Sequence, residues 1–403
     1  MQERRSERFG DRVDRTGTRS VKWDNREEVF GRSDVLPMWV ADSDWQTAQP
    51  IIDAIVERAK HGVFGYTSTD EETDRLIVDW FEDRHGWSIE PEWIVYGNGV
   101  VPSLRVIIGS LTDQGDGVIL QPPVYYPFFT SVRYSGSQIL TNQLQLNGDV
   151  YSMNFPDLKN LCQPGDVTFP TEPTPTTMVL CNPHNPVGRV WKEEELRKLG
   201  RICLENDILV VSDDIHSEFV YDKNEYVAFA SLSEDFARNS ITLTSPSKAF
   251  NTAGLPASVA IIPDEKTRTR FKRASEKLLK GPSVFGLEAM SAGYRNGKEW
   301  LEDQLEYLKR NRDYSISFFE RETPDIRTIE PEGTTLLWMD FRKLGLSSEE
   351  LEKLILEEAR VGLDFGHWFG PGGEGFLRLN FACPRSILKE GLERIGSAVE
   401  EVS

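Results

Sequence analysis

Ser245-Pro-Ser-Lys248-Ala-Phe-Asn-Thr-Ala-Gly254 follows the short apolar run Ile241-Thr-Leu-Thr244, which reads as a buried strand ending in hydroxyl residues. A lysine straight after such a strand lies beyond the carboxyl ends of the strands, where open α/β sheets bind ligands. An amine there can form a Schiff base with a carbonyl cofactor, and the flanking hydroxyls of Ser245 and Ser247 can hold a phosphate. The bland alternative is a solvated surface lysine, and upstream residues have to decide between the two.

Asp207-Ile-Leu-Val-Val-Ser212 is a second apolar run, rich in β-branched residues, and Asp213-Asp214-Ile215-His216 follows it. Pyridoxal phosphate requires two protein groups at opposite ends of its ring: a lysine for the aldehyde, and a carboxylate that keeps the ring nitrogen protonated. Asp213 and Lys248, each at a strand's carboxyl end, can meet across one crevice, although Asp213 alone also reads as a helix cap or a loop acid. A third piece precedes both. Met178-Val-Leu180 is strand-like and runs into Cys181-Asn-Pro-His-Asn185-Pro-Val-Gly188. Its two Asn-Pro pairs fix a turn, from which the Asn185 amide can donate to a phenolate oxygen or merely bond its own backbone.

Together these three motifs resemble the fold-type I pyridoxal-phosphate enzymes of the class I/II aminotransferase superfamily, and within it the MalY/PatB-type cystathionine β-lyases. Leu36-Pro-Met-Trp-Val-Ala-Asp42, Gly65-Tyr-Thr67, Gly99-Val-Val-Pro102, Pro123-Val-Tyr-Tyr-Pro-Phe128, Pro331-Glu-Gly-Thr334 and Gly375-Phe-Leu-Arg-Leu-Asn-Phe-Ala-Cys-Pro-Arg385 carry the likeness collinearly from about Thr16 onward. The resemblance implies an α/β aspartate aminotransferase-like fold. A large domain (41–290) would hold a mostly parallel seven-stranded sheet flanked by helices. A smaller α+β domain would combine 1–40 with 291–403.

The resemblance also assigns the site. Lys248, Asp213 and Asn185 would hold pyridoxal 5′-phosphate, with His216 beside it and Tyr125 stacked on its ring. Gly99, Val100 and Val101 would join Ser245 and Ser247 at the phosphate, and Tyr66 would reach the phosphate of a neighbouring subunit in a homodimer. Tyr126 would lie near the substrate, and Arg378, Val40, Ala41 and Asn185 would bind it. The implied reaction is α,β-elimination from an S-substituted L-cysteine. An aminotransferase is the nearest rival, because the chemistry up to removal of the α-proton is shared; an additional transcription-regulator-binding role is a further alternative. Asp214 stands where the family usually carries glutamate, and Pro256 where aspartate aminotransferases place a phosphate-binding arginine.

Several motifs also read on physical grounds. Trp93-Ile-Val-Tyr96 followed by Gly97-Asn-Gly99-Val-Val-Pro-Ser is a strand, glycine turn and helix, a layout whose free N–H groups cradle phosphate. Tyr125 and Tyr126 follow the strand Gly117-Val-Ile-Leu120 and can stack on a ring or pack the core. Arg378 lies among apolar neighbours, where a charge needs a partner; its planar fork suits a carboxylate, of the substrate or of the protein itself. Strand and helix alternate from Trp93, which predicts a doubly wound, largely parallel sheet.

At 403 residues two domains sharing a cleft are expected. A net charge of −19 excludes nucleic-acid backbones and anionic membranes as partners, and no apolar run is long enough to span a bilayer. The scattered Cys162, Cys181, Cys203 and Cys383 suit a reducing cytoplasm and point to neither a disulfide framework nor a metal site. The first fifteen residues read as a frayed arm. A helix is predicted from Pro50 to Gly62, burying Ile51, Ile55, Val56 and Ala59, and another from Leu104 to Leu111. Residues 150–175 read as a loop with a short helix. Lys298–Arg321 fits a helix joining the domains, Ser347-Ser-Glu-Glu350 a capping box, and Ser386 the start of the closing helix.

Overall fold

The computed structural model describes residues 7–163 and 173–402. Strands Ile94–Gly97 (β1), Gly117–Leu120 (β2), Gln138–Thr141 (β3), Pro175–Cys181 (β4), Leu209–Asp213 (β5), Ser240–Thr244 (β6) and Ser258–Ile261 (β7) form one sheet in the order β1-β7-β6-β5-β4-β2-β3. β7 runs against both neighbours, and the remaining pairs are parallel. Every residue of β2, β6 and β7 is buried. Both faces are covered, so burial is continuous along these strands, and in β6 (Ser240-Ile-Thr-Leu-Thr244) it takes in the hydroxyl residues as well.

Successive side chains feed opposite cores. Ile119, Met178, Leu180 and Val210 pack on one face with Leu196, Leu199 and Ile202 of the helix Glu193–Glu205. Val118, Leu120, Val179 and Val211 pack on the other with Leu104, Ile107 and Ile108 of the helix Val100–Leu111. That second helix starts four residues before its expected origin, directly after Gly99, and the shift brings its first turn to the sheet's carboxyl edge.

Strands Arg327–Ile329 (β8), Leu336–Asp340 (β9), Asp364–Phe365 (β10) and Phe376–Asn380 (β11) make a smaller antiparallel sheet in the order β8-β9-β11-β10. The capping box at Ser347 and Glu350 forms as expected. The closing helix, Arg385–Glu400, buries Leu388, Leu392, Ile395 and Val399. Helix Lys298–Glu322 ties the two sheets together. Its Gln304 Nε2 donates to Ala249 O at 2.9 Å, beside Lys248, while Asn311 Nδ2 donates to Phe381 O (2.9 Å) and Cys383 O (2.8 Å) just past β11.

Three expectations are corrected. The part of the N-terminal arm within the described residues is docked, not frayed: Phe9 is buried with its ring edge-on to Trp45 and Trp300, and Arg12 pairs with Glu390 at 2.9 Å. One aromatic side chain anchors a stretch whose charge pattern suggests solvent. Helix Gln49–His61 ends at Gly62 (φ 75°), as read, but of its apolar face only Ile51 is buried, and Val56 is 45% exposed. Residues 145–147 and 150–152 pair as a hairpin ahead of helix Phe155–Leu161; strands of three residues leave no periodicity to read. Positions 164–172 of the expected loop lie outside the described residues. Among those described, no helix is long and apolar enough to cross a membrane.

Candidate active site

The carboxyl ends of β2, β4, β5 and β6, the start of helix Val100–Leu111, the Trp39–Ala41 strip and β10–β11 enclose a cavity of about 260 Å³, at the small end of the range for cofactor sites. It gathers Lys248, Asp213, Asn185, His216, Tyr125, Tyr126, Gly99, Val100, Val101, Ser245, Ser247, Val40, Ala41 and Arg378. Tyr66 is the exception, fully exposed in the loop after helix Gln49–His61.

Lys248 sits in the short helix Pro246–Ala249, which Ser245 caps through Oγ and the Ser247 N–H (3.1 Å). Burial depresses the lysine's pKa, with the positive charge of Arg378 adding to the effect against Asp42 and Asp213. Its Nζ donates to Ala41 O at 2.7 Å. Across the cavity Asp213 is buried, and burial pushes its carboxyl up to about 7; the Ile215 N–H at 3.2 Å offsets this only in part. Lys248 acts on Asp213 only at a distance, and no cation among the described residues forms an ion pair with it; a buried carboxylate so placed is undercompensated, and the protonated nitrogen of a pyridine ring would complete it.

Neighbouring groups fit the rest of such a cofactor. Asn185 turns its Oδ1 to Arg378 Nη1 at 2.9 Å. The guanidinium is donor-only, so this orientation leaves the Asn185 amide N–H groups for a phenolate oxygen. His216 is buried, with Nδ1 unpartnered; burial, then the charges of Lys248 and Arg378, lowers its pKa to about 3. Val100 and Val101 open their helix, where N–H groups have no intrahelical partner. The Gly99 N–H is already committed to Ser258 Oγ at 2.9 Å, and the Ser245 hydroxyl donates to Ala257 O at 2.6 Å. A phosphate cradle here would therefore rest more on Val100 and Val101 than the sequence suggests. The groups present fit pyridoxal phosphate: amine, acid, phenolate donor and N–H cradle.

At the far end Arg378 is buried and pairs with Asp364 through Nη2, which also donates to Trp39 O at 3.0 Å. The internal partner left open at the sequence level thus exists, and it is an acid that sequence reasoning missed. The signal was present: Asp364 stands alone in the apolar run Val361-Gly-Leu-Asp-Phe365, as Arg378 does in its own strand. Asn380 Nδ2 donates to Val40 O and Asp42 O, both at 2.7 Å. Three successive carbonyls, from Trp39 to Ala41, are thereby tied down by Arg378, Asn380 and Lys248. Asp214 is also buried, bonded by Ser212 and Tyr226 away from the cavity. His184, three residues after Cys181, bonds Pro123 O at 3.0 Å.

A family model for aminotransferase class I and II matches residues 40–395. The chain is 42% identical to the cystathionine β-lyase PatB of Bacillus subtilis, over 97% of this chain and 99% of that protein. Among solved structures it resembles cystalysin from Treponema denticola, which contains pyridoxal 5′-phosphate (TM-score 0.93, 33% identity, 98% and 99% of the two chains). It also resembles a pyridoxal-phosphate-bound C–S lyase from Staphylococcus hominis (TM-score 0.89, 30% identity, 97% of each chain).

Proposed function

The chain belongs to the aminotransferase class I and II family, and we propose that it is a pyridoxal-phosphate-dependent C–S β-lyase, cleaving an S-substituted L-cysteine such as cystathionine to a thiol, pyruvate and ammonia. The observation that carries this reading is the meeting, in one buried cavity, of a lysine of depressed pKa with an acid of raised pKa that has no ion-pair partner among the described residues. The relatives' recorded C–S lyase activities favour elimination over amino transfer. When bound, the cofactor supplies an electron sink conjugated to the substrate's α-carbon.

The protein's own groups do the rest. Lys248 Nζ, unprotonated more readily than a surface lysine, would hold the cofactor and serve as the base for the proton on the substrate α-carbon. Asp213 would hold the positive charge at the ring nitrogen, and the Asn185 amide would donate to the phenolate. Tyr125 would stack on the ring and His216 would lie beside it, and Val100, Val101, Ser245 and Ser247 would hold the phosphate. Arg378 takes the α-carboxylate beside Val40 and Ala41, fixing which substrate bond stands perpendicular to the ring. Tyr126, whose phenol burial keeps protonated, faces the substrate.

A homodimer with sites at the subunit interface is part of the proposal. It is supported by exposed apolar residues in and after helix Gln49–His61: Val56, Val63 (64%), Phe64 (55%) and Tyr66 (113%). Tyr66 completes the neighbouring subunit's phosphate site on this reading. Division into 41–290 and 1–40 with 291–403 follows the two sheets, and the unpaired, buried cysteines suit a cytoplasmic enzyme. Purified protein is expected to release pyruvate from L-cystathionine without any keto acid. A strict requirement for 2-oxoglutarate would overturn the lyase assignment in favour of a transaminase.

A further inference from the structure

Asp364 and Arg378 face each other across β10 and β11, and both line the cavity. The Arg378 Nη2 group has two hydrogens, and both are committed, one to Asp364 and one to Trp39 O. Nη1 donates to Asn185, while Nε is buried without a partner, as is Asp364 Oδ1. A substrate carboxylate docking fork to fork needs two adjacent N–H groups. Either edge that offers two includes one hydrogen of Nη2, so the incoming carboxylate displaces Asp364 or Trp39 O from that hydrogen, and on either edge it faces the guanidinium that Asp364 already pairs with.

Charge sharpens the conflict. Two buried carboxylates against one guanidinium leave an uncompensated negative charge. The titratable groups facing Asp364 are Arg378 from β11 and, from the turn after β2, Tyr125 and Tyr126. Lys248, Asp213, His216 and Asp42 lie further along the cavity wall or beside it, and His367 on the following turn lies instead 3.7 Å from Glu352. None of these supplies a second cation to Asp364.

We propose that Asp364 takes up a proton from bulk solvent as the substrate α-carboxylate binds Arg378, so that an external carboxylate replaces an internal one instead of adding to it. The proposal rests on the reading of Arg378 as the carboxylate anchor. Asp364 is then a positioning residue that sets the pH dependence of substrate affinity. Its environment suits the role, since burial holds its carboxyl at about 6 even beside Arg378.

The test uses the holoenzyme and propanoate, a carboxylate without an amine to react with the cofactor. Calorimetric titration in buffers of different ionisation heat gives the protons taken up per propanoate bound; visible absorbance in the same titration gives the cofactor's own share. The expected result is about one proton beyond that share above neutral pH, with affinity falling about tenfold per pH unit. Asp364→Asn should abolish the excess uptake, bind propanoate more tightly and flatten the pH dependence. No excess uptake in the unaltered enzyme overturns the proposal, even if the variant does not fold, and so does weaker binding by Asp364→Asn. Arg378→Gln separates the two readings. Loss of propanoate binding in that variant supports the anchor, and if excess uptake in the unaltered enzyme is then absent, only the Asp364 proposal falls. Undiminished binding by Arg378→Gln overturns the anchor itself.

Discussion

The two ends of the cavity solve the problem of a buried charge in opposite ways. At one end Asp213, projected from the large sheet, has no ion-paired cation among the described residues, only the more distant charge of Lys248, and holds its proton to about 7. At the other Arg378, on the small sheet, already has Asp364. A site of the first kind is completed by gaining a partner, so it prefers a cationic ligand that stays. A site of the second kind works by exchange, which suits a substrate that must arrive and leave. Permanent cofactor and transient substrate thus correspond to an unpaired acid and a prepaired base.

The largest expected effect tests the cofactor end. On the proposed roles Lys248→Ala would remove both the covalent anchor and the base, and should lower kcat on the order of 10⁴-fold. Asp213→Asn keeps the shape but not the charge, and should lower kcat roughly 10²-fold with KM nearly unchanged. Pyruvate release measured against cystathionine concentration separates the two constants. If Asp213→Asn raised KM and spared kcat, the two ends would not divide the work as described.

A smaller effect concerns stability and pH. Burial raises Asp213 and Asp214 to about 7 and Asp364 to about 6, from 3.8. Between these values the folded chain binds more protons than the unfolded one, so their contribution is full at low pH and is lost as pH rises through about 4 to 7. Glu218 behaves oppositely: despite burial, His85 and Arg84 hold it down to about 2, and its contribution is lost only as pH falls from 4.5 through 2. Cofactor-free protein should therefore show a Tm that declines by a few degrees from about pH 5 to about pH 8. A cation at the ring nitrogen cancels the Asp213 share, so the Tm increment on adding cofactor should grow with pH over that range. An increment independent of pH would show that Asp213 gains no cation.

The cofactor end was legible in the sequence because Lys248, Asp213 and Asn185 each follow an apolar run that reads as a strand, and strand ends converge in this topology. The substrate end was only half legible. Arg378 announced itself as a charge in an apolar strand, but Asp364 sits on a two-residue strand, too short to mark its register. The arm was misread for a related reason: the partners of Phe9 are Trp45, Trp300 and Tyr307, brought together only by the fold. Helical periodicity grouped Val56 and Ala59 with Ile51 and Ile55 as a buried face, and both are exposed, because periodicity does not say whether an apolar face meets its own chain.

The smallest effect probes how the substrate end is braced. Beneath the Trp39–Ala41 strip, Arg15 grips Asp42 with two bonds (2.9 and 2.6 Å) and Asp44 with a third at 2.7 Å, while buried Lys22 holds Asp44 at 2.6 Å. Arg15→Ala removes the outer cation and leaves Lys22 to both acids, so the strip should loosen without collapsing. Carboxylate positioning depends on that strip, and proton transfer by Lys248 does so only through the single bond to Ala41 O. The expected outcome is a KM for cystathionine raised about threefold to tenfold, with kcat within about twofold. Asp42 also acts on Lys248 electrostatically, favouring its charged form. Should Arg15→Ala instead shift the pH profile of kcat, the arm would be tuning the base, and the separation between a cofactor end and a substrate end would fail where the two share Asp42.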